Sequence, residues 1–284
     1  MPSAGTSLRS GGRPPITDAD YRRFRNYLEE ASGILLGENK KYLVASRLSR
    51  LMREQGMQSL GELVDRLMLP SEKTLRECVI EAMTTNETSW FRDGYPFEVL
   101  ASELLPELRA KGIRRPRIWS AACSTGQEPY SISMVVSEYL ERHPGAFDEV
   151  SILATDIDGK ALAAARAGCY EELSVQRGLS RRRLERFFVQ EGPVWRIRDE
   201  IRRRIEFRQM NLQAGAVTHR FEIVFCRNVL IYFSPETKRR ILERIARAMQ
   251  PGGYLFPGAS ESISQYSDAF EMVRSRQGIH YRLR

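Results

Sequence analysis

The fold is decided by the stretch RIWSAACSTGQEPYSI, residues Arg117 to Ile132. Its apolar start predicts a strand, its middle a loop and its end a helix, an arrangement that binds nucleotides in many α/β proteins. The loop has a single glycine, Gly126, where a dinucleotide loop has three, and an acid, Glu128, lies near the helix start. Because a helix N-terminus binds phosphate through its positive dipole and free N–H groups, Glu128 at this place would repel a phosphate.

The alternation of strand and helix continues beyond this stretch. Strand-like runs follow at SILATDID (151–158), RIEFRQMNL (204–212) and FEIVFCRNV (221–229). A helix after them has Ser234 as its predicted N-cap and is expected to end just before Gly252. Repeated alternation predicts an α/β fold with a doubly wound, mostly parallel sheet, which binds ligands beyond the carboxyl ends of its strands.

Two segments depart from this alternation. The N-terminal third shows only helical spacing, for example at Tyr21, Phe24 and Leu28, and predicts a small all-helical domain. Before the RIEF strand, FFVQEGPVWRIR predicts a small antiparallel β hairpin that turns at Glu191–Gly192. The expected organisation is a disordered tail at 1–16, a helical domain at 17–83, a linker at 84–93 that contributes to the cofactor site, and a sheet domain at 94–284 with an inserted β subdomain at 170–203.

The composition excludes several classes of protein. No apolar run approaches the roughly 20 residues of a membrane-spanning helix, and the N-terminus does not have the pattern of a signal peptide. The four cysteines are far apart, which predicts neither a metal site nor disulfides and favours the cytoplasm. The net charge is +8, and residues 161–220 hold 13 Arg against 7 Asp or Glu. A basic surface of this kind suits an acidic partner, or is simply a solvated face.

S-adenosylmethionine satisfies the requirement set by Glu128, since it carries an ammonium and a sulfonium but no phosphate. Such a site also needs an acid at the end of the second strand to accept hydrogen bonds from two ribose hydroxyls. Asp156 in ATDID lies 30 residues after Gly126 (156 − 126), which leaves room for one helix and one strand. Asp156 could instead be a turn residue or a helix cap, but together with Glu128 it favours a methyltransferase cofactor site.

The sequence also bears on the methyl acceptor. A neutral acceptor needs a general base, and none of the three histidines, His143, His219 and His280, falls at a predicted strand end. An acceptor that is already ionised, such as a glutamate carboxylate with a pKa of about 4.3, removes that need. Enzymes that methylate base amino groups commonly have an Asn/Asp-Pro-Pro-aromatic turn after the fourth strand, and this chain has Arg227-Asn228-Val229-Leu230 there. Tyr232, in the same loop, could reach the reaction or be part of the core.

Four motifs together resemble the chemotaxis receptor glutamate O-methyltransferases: TTNETSWFRD (84–93), WSAACSTGQEPYSI (119–132), ATDID (154–158) and FCRNVLIYF (225–233). The resemblance covers almost the whole chain. It implies a helical N-terminal domain followed by an S-adenosylmethionine-dependent methyltransferase domain, in an enzyme that forms methyl esters on receptor glutamates and releases S-adenosylhomocysteine. It also implies a cytoplasmic enzyme, expected to be a monomer, whose partners are the methylation helices of chemoreceptors, with no nucleic acid, membrane insertion or metal.

The resemblance assigns roles to individual residues. Glu128 would bind the charged amino-acid end of the cofactor and Asp156 its ribose. Arg92 and Tyr232 would lie nearest the transferred methyl, and Arg92 could hold either the cofactor carboxylate or that of the substrate. The remaining cofactor contacts implied are Asn86, Thr88, Asn211, Leu212, Arg227 and Asn228, with Arg92 also in this set.

Two surface features also gain an interpretation from the resemblance. Arg47, Arg50 and Arg53 are spaced i, i+3, i+6 on a predicted helix, and the resemblance implies that this stripe docks on acidic receptor helices. Without the resemblance the stripe is a solvated face. Family members that bind a tethering peptide at the receptor C-terminus have a longer, glycine-bearing loop in the inserted hairpin. The short Glu191-Gly192-Pro193 loop therefore predicts an enzyme that does not depend on a C-terminal pentapeptide.

Two other functions are compatible with parts of the pattern. A nucleic-acid methyltransferase would use the basic segment, although the Pro-Pro turn and the catalytic bases are missing. A non-catalytic module that senses S-adenosylmethionine would need the same cofactor site, although no site residue looks degraded.

Overall fold

The computed structural model describes residues 16–215 and 217–284, and the chain divides into two compact units. Leu35–Met83 and the described residues up to Ala31 form a helical unit. Ser32–Ile34 and Thr84–Arg284 form a unit built around sheets. The tail predicted at 1–16 lies outside the described residues except for Ile16.

Two helices of the first unit begin at capping side chains, and the helices of this unit bury apolar residues. Asp20 N donates to Thr17 Oγ1 at 3.1 Å, and Glu62 N donates to Ser59 Oγ at 3.2 Å, so each hydroxyl caps a helix. Phe24 is completely buried, as the helical spacing predicts. These helices are α1 (Asp18–Ser32), α2 (Lys41–Glu54), α3 (Leu60–Leu67) and α4 (Lys73–Met83).

Two sheets form the second unit, and the larger one confirms the predicted α/β class. The strands are β1 (Arg117–Ala121), β2 (Ser151–Asp156), β3 (Cys169–Glu171), β4 (Phe188–Glu191), β5 (Val194–Ile197), β6 (Ile205–Gln209), β7 (Phe221–Cys226), β8 (Met249–Pro257), β9 (Phe270–Arg274) and β10 (Ile279–Leu283). In the described part of the chain, seven of them form a sheet in the order β6-β2-β1-β7-β8-β10-β9. The first five are parallel, and β10 is antiparallel to both of its neighbours.

Helices cover both faces of this sheet, so its central strands are apolar on both sides. On β1, Ile118 faces one buried cluster with the helices around residues 97–108 and 132–139, whereas Trp119 faces another with residues 241–245. Because β1, β2, β6 and β7 are parallel, their carboxyl ends lie at one edge of the sheet. The helices of this unit are α5 (Tyr95–Val99), α6 (Leu105–Ala110), α7 (Gln127–Arg142), α8 (Gly159–Ala167), α9 (Glu172–Gln176), α10 (Arg181–Phe187), α11 (Asp199–Arg202) and α12 (Pro235–Arg247).

The predicted end of α12 is wrong. Ser234 does cap the helix, through Thr237 N at 3.3 Å, but the helix ends at Arg247 and Gly252 lies inside β8. Gly252 has φ +73°, and the register of β8 against β7 shifts in this region. Gly252 therefore permits an irregularity in a long strand and does not end a helix.

The inserted segment contains a three-stranded sheet, β3-β5-β4, where a hairpin was predicted. Glu191 pairs with Val194, so the turn consists of Gly192 and Pro193 and the predicted turn at Glu191–Gly192 is displaced by one residue. Gly192 has the positive φ, +61°, that a tight turn of this kind requires. The third strand, β3, has only three residues, too few to show an alternating pattern.

Candidate active site

The loop between β1 and α7 is held in a strained conformation at the carboxyl edge of the sheet. Ala122 and Ser124 have left-handed φ angles of 62° and 51°, and Gly126 has 96°. A Cβ on Gly126 would lie 3.0 Å from Ala165 Cβ and 3.1 Å from the Tyr170 hydroxyl, so tight packing as well as backbone angle requires glycine. The single glycine of the motif is thus explained by the fold of the loop.

Backbone strain in the described part of the chain is concentrated around this edge. Residues other than glycine rarely adopt positive φ, and where they do the position is often functional. All such residues that the structure describes fall in three segments: the linker before α5, the β1–α7 loop and the loop after β7. They are Phe91, Asp93, Ala122, Ser124 and Asn228.

Asp156 ends β2 with its carboxylate directed at the β1–α7 loop. Ser124 N donates to its Oδ2 at 2.7 Å, and Asp158 N donates to its Oδ1 at 2.9 Å. The residue is 6% exposed; burial raises the pKa of the carboxyl, while these backbone hydrogen bonds oppose the rise. Since an ionised carboxylate has about four acceptor sites, each oxygen keeps capacity for one further donor, which fits a pair of ribose hydroxyls.

Glu128 lies in the first turn of α7, where the helix dipole favours its negative charge. Ser120 Oγ donates to Oε1 at 2.7 Å and Arg227 Nη1 donates to Oε2 at 3.1 Å. Burial raises the pKa of this carboxyl, and the charge of Arg227 opposes that effect. Two carboxylates, the largely buried Glu128 and the buried Asp156, therefore flank the loop. As negatively charged acceptors, they disfavour a phosphate and fit a cationic ligand.

Arg227 connects three separate segments of the site. Besides Glu128, its guanidinium donates from Nη2 to Asp93 Oδ2 at 2.6 Å and to the carbonyl oxygen of Arg92 at 2.9 Å. Its side chain is only 2% exposed. The sequence assigns Arg227 to the pocket but gives no sign of its pairing with Asp93, because the two residues are more than a hundred positions apart and neither lies in a periodic pattern.

The linker packs onto the end of β2 through a carboxylate that sequence reasoning did not assign. Asp158 Oδ2 accepts hydrogen bonds from Thr84 Oγ1 at 2.9 Å and from Asn86 Nδ2 at 2.6 Å. Its Oδ1 accepts from Lys160 N and Ala161 N at the start of α8. The signal available was the position of Asp158 before a helical run, which is typical of an N-cap.

Thr88 and Arg92 complete the linker side of the site. Thr88 and Asn86 line a cavity of about 290 Å³ together with Thr125, Gln127, Leu173, Arg177 and neighbouring residues. Arg92 is half-buried, and its Nη1 donates to the carbonyl oxygen of Glu87 at 3.2 Å. Both side chains thus belong to a segment that is bonded to the β1–α7 loop, since Ser124 Oγ donates to the Asn86 carbonyl at 2.9 Å.

Asn211 and Leu212 follow β6 at the same edge. Met210 N donates to the Asp156 carbonyl at 2.8 Å, which fixes the exit of β6 beside the end of β2. Asn211 Oδ1 accepts from Gln213 N at 2.9 Å and closes a local turn. Leu212, 9% exposed, packs in the cluster that contains Trp119.

The loop after β7 carries Asn228 and Tyr232. Asn228 has φ +57°, and a short 3₁₀ turn, Leu230–Tyr232, follows it. Tyr232 is half-buried, whereas Ile231 is 52% exposed. The Glu261 carboxylate accepts hydrogen bonds from the backbone N–H groups of this loop, and no motif in the sequence indicates this residue.

The predicted docking arginines belong to the helical unit and differ in their environments. Arg47 Nη1 donates to the Met83 carbonyl oxygen at 2.5 Å, so this side chain helps join α2 to α4. Arg50 is 85% exposed and pairs with Glu54 at 2.7 Å. Arg53 is exposed at the end of α2. The three arginines therefore do not form one uniform surface stripe.

The three histidines lie outside the linker, the β1–α7 loop and the loop after β7. His143 follows α7, His219 precedes β7, and His280 lies within β10, where burial lowers its pKa. No group of three or more His, Cys, Asp or Glu among residues 16–215 and 217–284 could hold a metal ion. Across the same residues, no helix is long and apolar enough to cross a membrane.

Comparison with known proteins shows the family to which the chain belongs. Residues 86–279 match the family described as CheR methyltransferase, SAM binding domain, and residues 19–84 match CheR methyltransferase, all-alpha domain. The chain is 54% identical over 269 residues to Chemotaxis protein methyltransferase 1 of Pseudomonas aeruginosa, covering 93% of this chain and 98% of that protein. It is 52% identical over 266 residues to Chemotaxis protein methyltransferase Cher2 of Pseudomonas putida, covering 92% and 97%. With Chemotaxis protein methyltransferase of Salmonella typhimurium it shares 36% identity over 281 residues, covering 96% and 94%. These matches confirm the predicted family and the predicted cofactor, S-adenosylmethionine.

Proposed function

Because the chain belongs to the CheR methyltransferase family, we propose that it transfers a methyl group from S-adenosylmethionine to glutamate side chains of chemotaxis receptors, forming methyl esters. The observation that carries the proposal is a pair of carboxylates, the largely buried Glu128 and the buried Asp156, on either side of a strained loop at the carboxyl edge of the sheet. S-adenosylhomocysteine is the second product.

Different residues at this edge would contact different parts of the cofactor. Asp156 would accept hydrogen bonds from the ribose hydroxyls, and Glu128 would attract the ammonium. Asn211 and Leu212 would flank the adenine, since they follow β6 beside Asp156. The other contacts proposed are Asn86, Thr88, Arg92, Arg227 and Asn228. When bound, S-adenosylmethionine supplies an electrophilic methyl group on a cationic sulfur.

Arg92 and Tyr232 are the residues that we propose for aligning the reaction. A direct displacement needs the nucleophile and the methyl group in line, so positioning accounts for much of the catalysis. The Arg92 guanidinium would hold a carboxylate, either that of the cofactor or that of the receptor glutamate. The Tyr232 hydroxyl would donate to the acceptor from the loop after β7. Arg227 would keep Arg92 in place, because it binds the Arg92 carbonyl oxygen.

The acceptor is expected to react without a general base, and the pH dependence of kcat tests this. A glutamate carboxylate has a pKa of about 4.3 and is fully ionised above about pH 6. None of the three histidines lies at the carboxyl ends of β1, β2, β6 or β7. We therefore expect kcat for a receptor fragment at saturating substrate to change less than about threefold between pH 6 and pH 8.5. A rate that falls about tenfold per pH unit on acidification through this range would identify a titrating base or amine acceptor and contradict the proposal.

The helical unit is proposed to dock on acidic receptor helices through Arg50 and Arg53. Replacing both by alanine removes two exposed charges and leaves Arg47 bonded to Met83. Since exposed charge pairs contribute about 0.2–1 kcal/mol each, we expect KM for the receptor to rise about two- to tenfold, more at low salt, with unchanged affinity for S-adenosylhomocysteine. Arg240→Ala/Arg247→Ala on α12 is the matched control, and an equal rise in KM there would contradict a specific role.

We propose that receptor binding does not depend on a C-terminal peptide. The β4–β5 turn consists of Gly192 and Pro193 only, which leaves little loop for contacts with a peptide. A receptor C-terminal pentapeptide is therefore expected to give no saturable heat in calorimetry at concentrations up to about a hundred micromolar, a range in which a contact worth about 6 kcal/mol would be detected. Micromolar binding would refute this part of the proposal.

We also propose that the enzyme acts as a monomer in the cytoplasm. The four cysteines are free thiols, which suits a reducing compartment.

A further inference from the structure

Glu261, which follows β8, has a carboxylate that is enclosed by backbone N–H groups. Asn228 N donates to its Oε2 at 2.6 Å and Gly258 N donates to the same oxygen at 2.7 Å. Ile231 N donates to its Oε1 at 3.1 Å. The residue is only 8% exposed, so these three N–H dipoles balance a charge that is largely removed from water.

Two of the three donors belong to the loop after β7, at the two positions that define its shape. Asn228 has a left-handed φ of 57°, an unfavourable conformation that needs support from its surroundings. Ile231 N lies within the 3₁₀ turn that ends at Tyr232. By accepting from both, one side chain fixes the start of the loop and the turn that carries the tyrosine.

Gly258, the third donor, packs tightly against the Glu261 carboxylate. A Cβ added to Gly258 would lie 2.7 Å from Glu261 Oε2 and 2.8 Å from Asn228 Nδ2. A residue larger than glycine at 258 would therefore displace the carboxylate or the asparagine. The Glu261 carboxylate can occupy this position because residue 258 is glycine. The 228–232 loop in turn is hydrogen-bonded to that carboxylate.

We propose that Glu261 is a positioning residue of the methyl-transfer site, which acts by holding the 228–232 loop so that Tyr232 is directed at the acceptor. The inference rests on the proposed function, since Tyr232 is assigned there to the acceptor. Glu261 itself touches the backbone of the loop and not the reacting atoms. Its loss is expected to change the rate of transfer rather than to remove the site.

A second buried carboxylate on the same unit provides the matched control. Glu222, on β7, is 9% exposed and its Oε2 accepts from Arg117 N at 2.6 Å, at the amino end of the sheet. Glu222→Gln thus changes a buried carboxylate with a backbone partner while the 228–232 loop keeps its bonds. If Glu261 only stabilised the fold, the two substitutions would have similar effects on kcat.

The test is a double-mutant cycle in kcat, measured on a receptor cytoplasmic fragment with saturating cofactor. In Glu261→Gln the new amide group meets backbone N–H donors, and we expect kcat to fall about tenfold to a hundredfold, as a misplacement of about 1 Å does. Glu222→Gln is expected to keep kcat within about twofold, the range for a site that is far from the chemistry. The Glu261→Gln/Tyr232→Phe double variant is expected to lie within about threefold of the slower single variant, because both changes remove the same aligned hydroxyl.

Several outcomes would overturn the inference. They are a wild-type kcat in Glu261→Gln, an equal loss in Glu222→Gln, a wild-type kcat in Tyr232→Phe, or single effects that multiply in the double variant. If Glu261→Gln does not fold, Glu261→Asp keeps the charge but shortens the side chain by one methylene, and it is expected to lower kcat in the same way; wild-type kcat there would count against the proposal. If the wild-type enzyme itself forms no ester on the fragment, the proposed function fails; if it does and Glu261→Gln matches it, only this inference fails.

Discussion

Replacing Arg227 by methionine is expected to lower the free energy of unfolding by about 3 kcal/mol and to abolish methyl transfer, because the largely buried carboxylate of Glu128 loses its partner. The Arg227 side chain is 2% exposed and that of Glu128 is 12% exposed, so water does not replace the lost bond. Asp93 and the Arg92 carbonyl lose the same donor, so the linker also loses two of its hydrogen bonds to this part of the site. Urea unfolding and the rate of transfer to a receptor fragment measure the two effects.

Arg66→Met is the control for this substitution. Arg66 makes two hydrogen bonds to Glu72 in the helical unit, at 2.9 and 2.7 Å, but both side chains are partly exposed, at 32% and 23%. Its loss is therefore expected to cost only about 1 kcal/mol. Similar losses of stability in the two variants would show that Arg227 is not a structural centre of the site.

The stability of Arg227→Met should also depend on pH in a definite direction. Burial raises the pKa of Glu128 in the folded protein, and Arg227 opposes that rise. Without Arg227 the folded-state pKa rises further above the unfolded value, so the folded state binds the proton more tightly. The difference in stability from the wild type should therefore narrow as the pH falls through the raised pKa of Glu128. A difference that widens on acidification would contradict this account of the pair.

Asp156→Asn is expected to weaken the binding of S-adenosylhomocysteine by about a hundredfold or more. Hydrogen bonds to a charged group contribute about 1.5–3 kcal/mol each, and we propose that two ribose hydroxyls donate to this carboxylate. The amide would also face N–H donors, because both carboxylate oxygens already accept from the backbone, at Ser124 and Asp158. Isothermal calorimetry measures the affinity directly.

Glu222→Gln again serves as the control for the loss of a buried carboxylate. Its affinity for S-adenosylhomocysteine is expected to equal that of the wild type, while its urea midpoint shows the effect of such a change on stability alone. If Asp156→Asn binds within about threefold of the wild type, a difference of less than about 0.7 kcal/mol, the carboxylate does not hold the ribose.

The elements that sequence reasoning predicted best are those whose causes are local. The β1–loop–α7 unit, the end of β2 at Asp156 and the cap of α12 at Ser234 all follow from patterns within about ten residues. The helix end predicted at Gly252 was wrong. A glycine after a helical run usually marks a helix end, whereas Gly252 permits an irregularity in β8.

The parts of the site that were not predicted depend on contacts between distant residues. Arg227 meets Asp93, and Glu261 meets Asn228 and Ile231, only after the sheet has brought the three segments together. A single carboxylate in a loop has no periodicity or spacing that marks such a partner. The positions of the β1–α7 loop and of Asp156 could be predicted from the sequence because a parallel sheet places its strand ends at a common edge.

Tandem mass spectrometry of a receptor cytoplasmic fragment, after incubation with the enzyme and S-adenosylmethionine, tests the central claim most directly. The account predicts a gain of one methylene in mass that fragmentation places on a glutamate side chain and that mild alkali removes as methanol. A methyl group found on lysine or another nitrogen, or transfer to RNA with none to the receptor fragment, would contradict it.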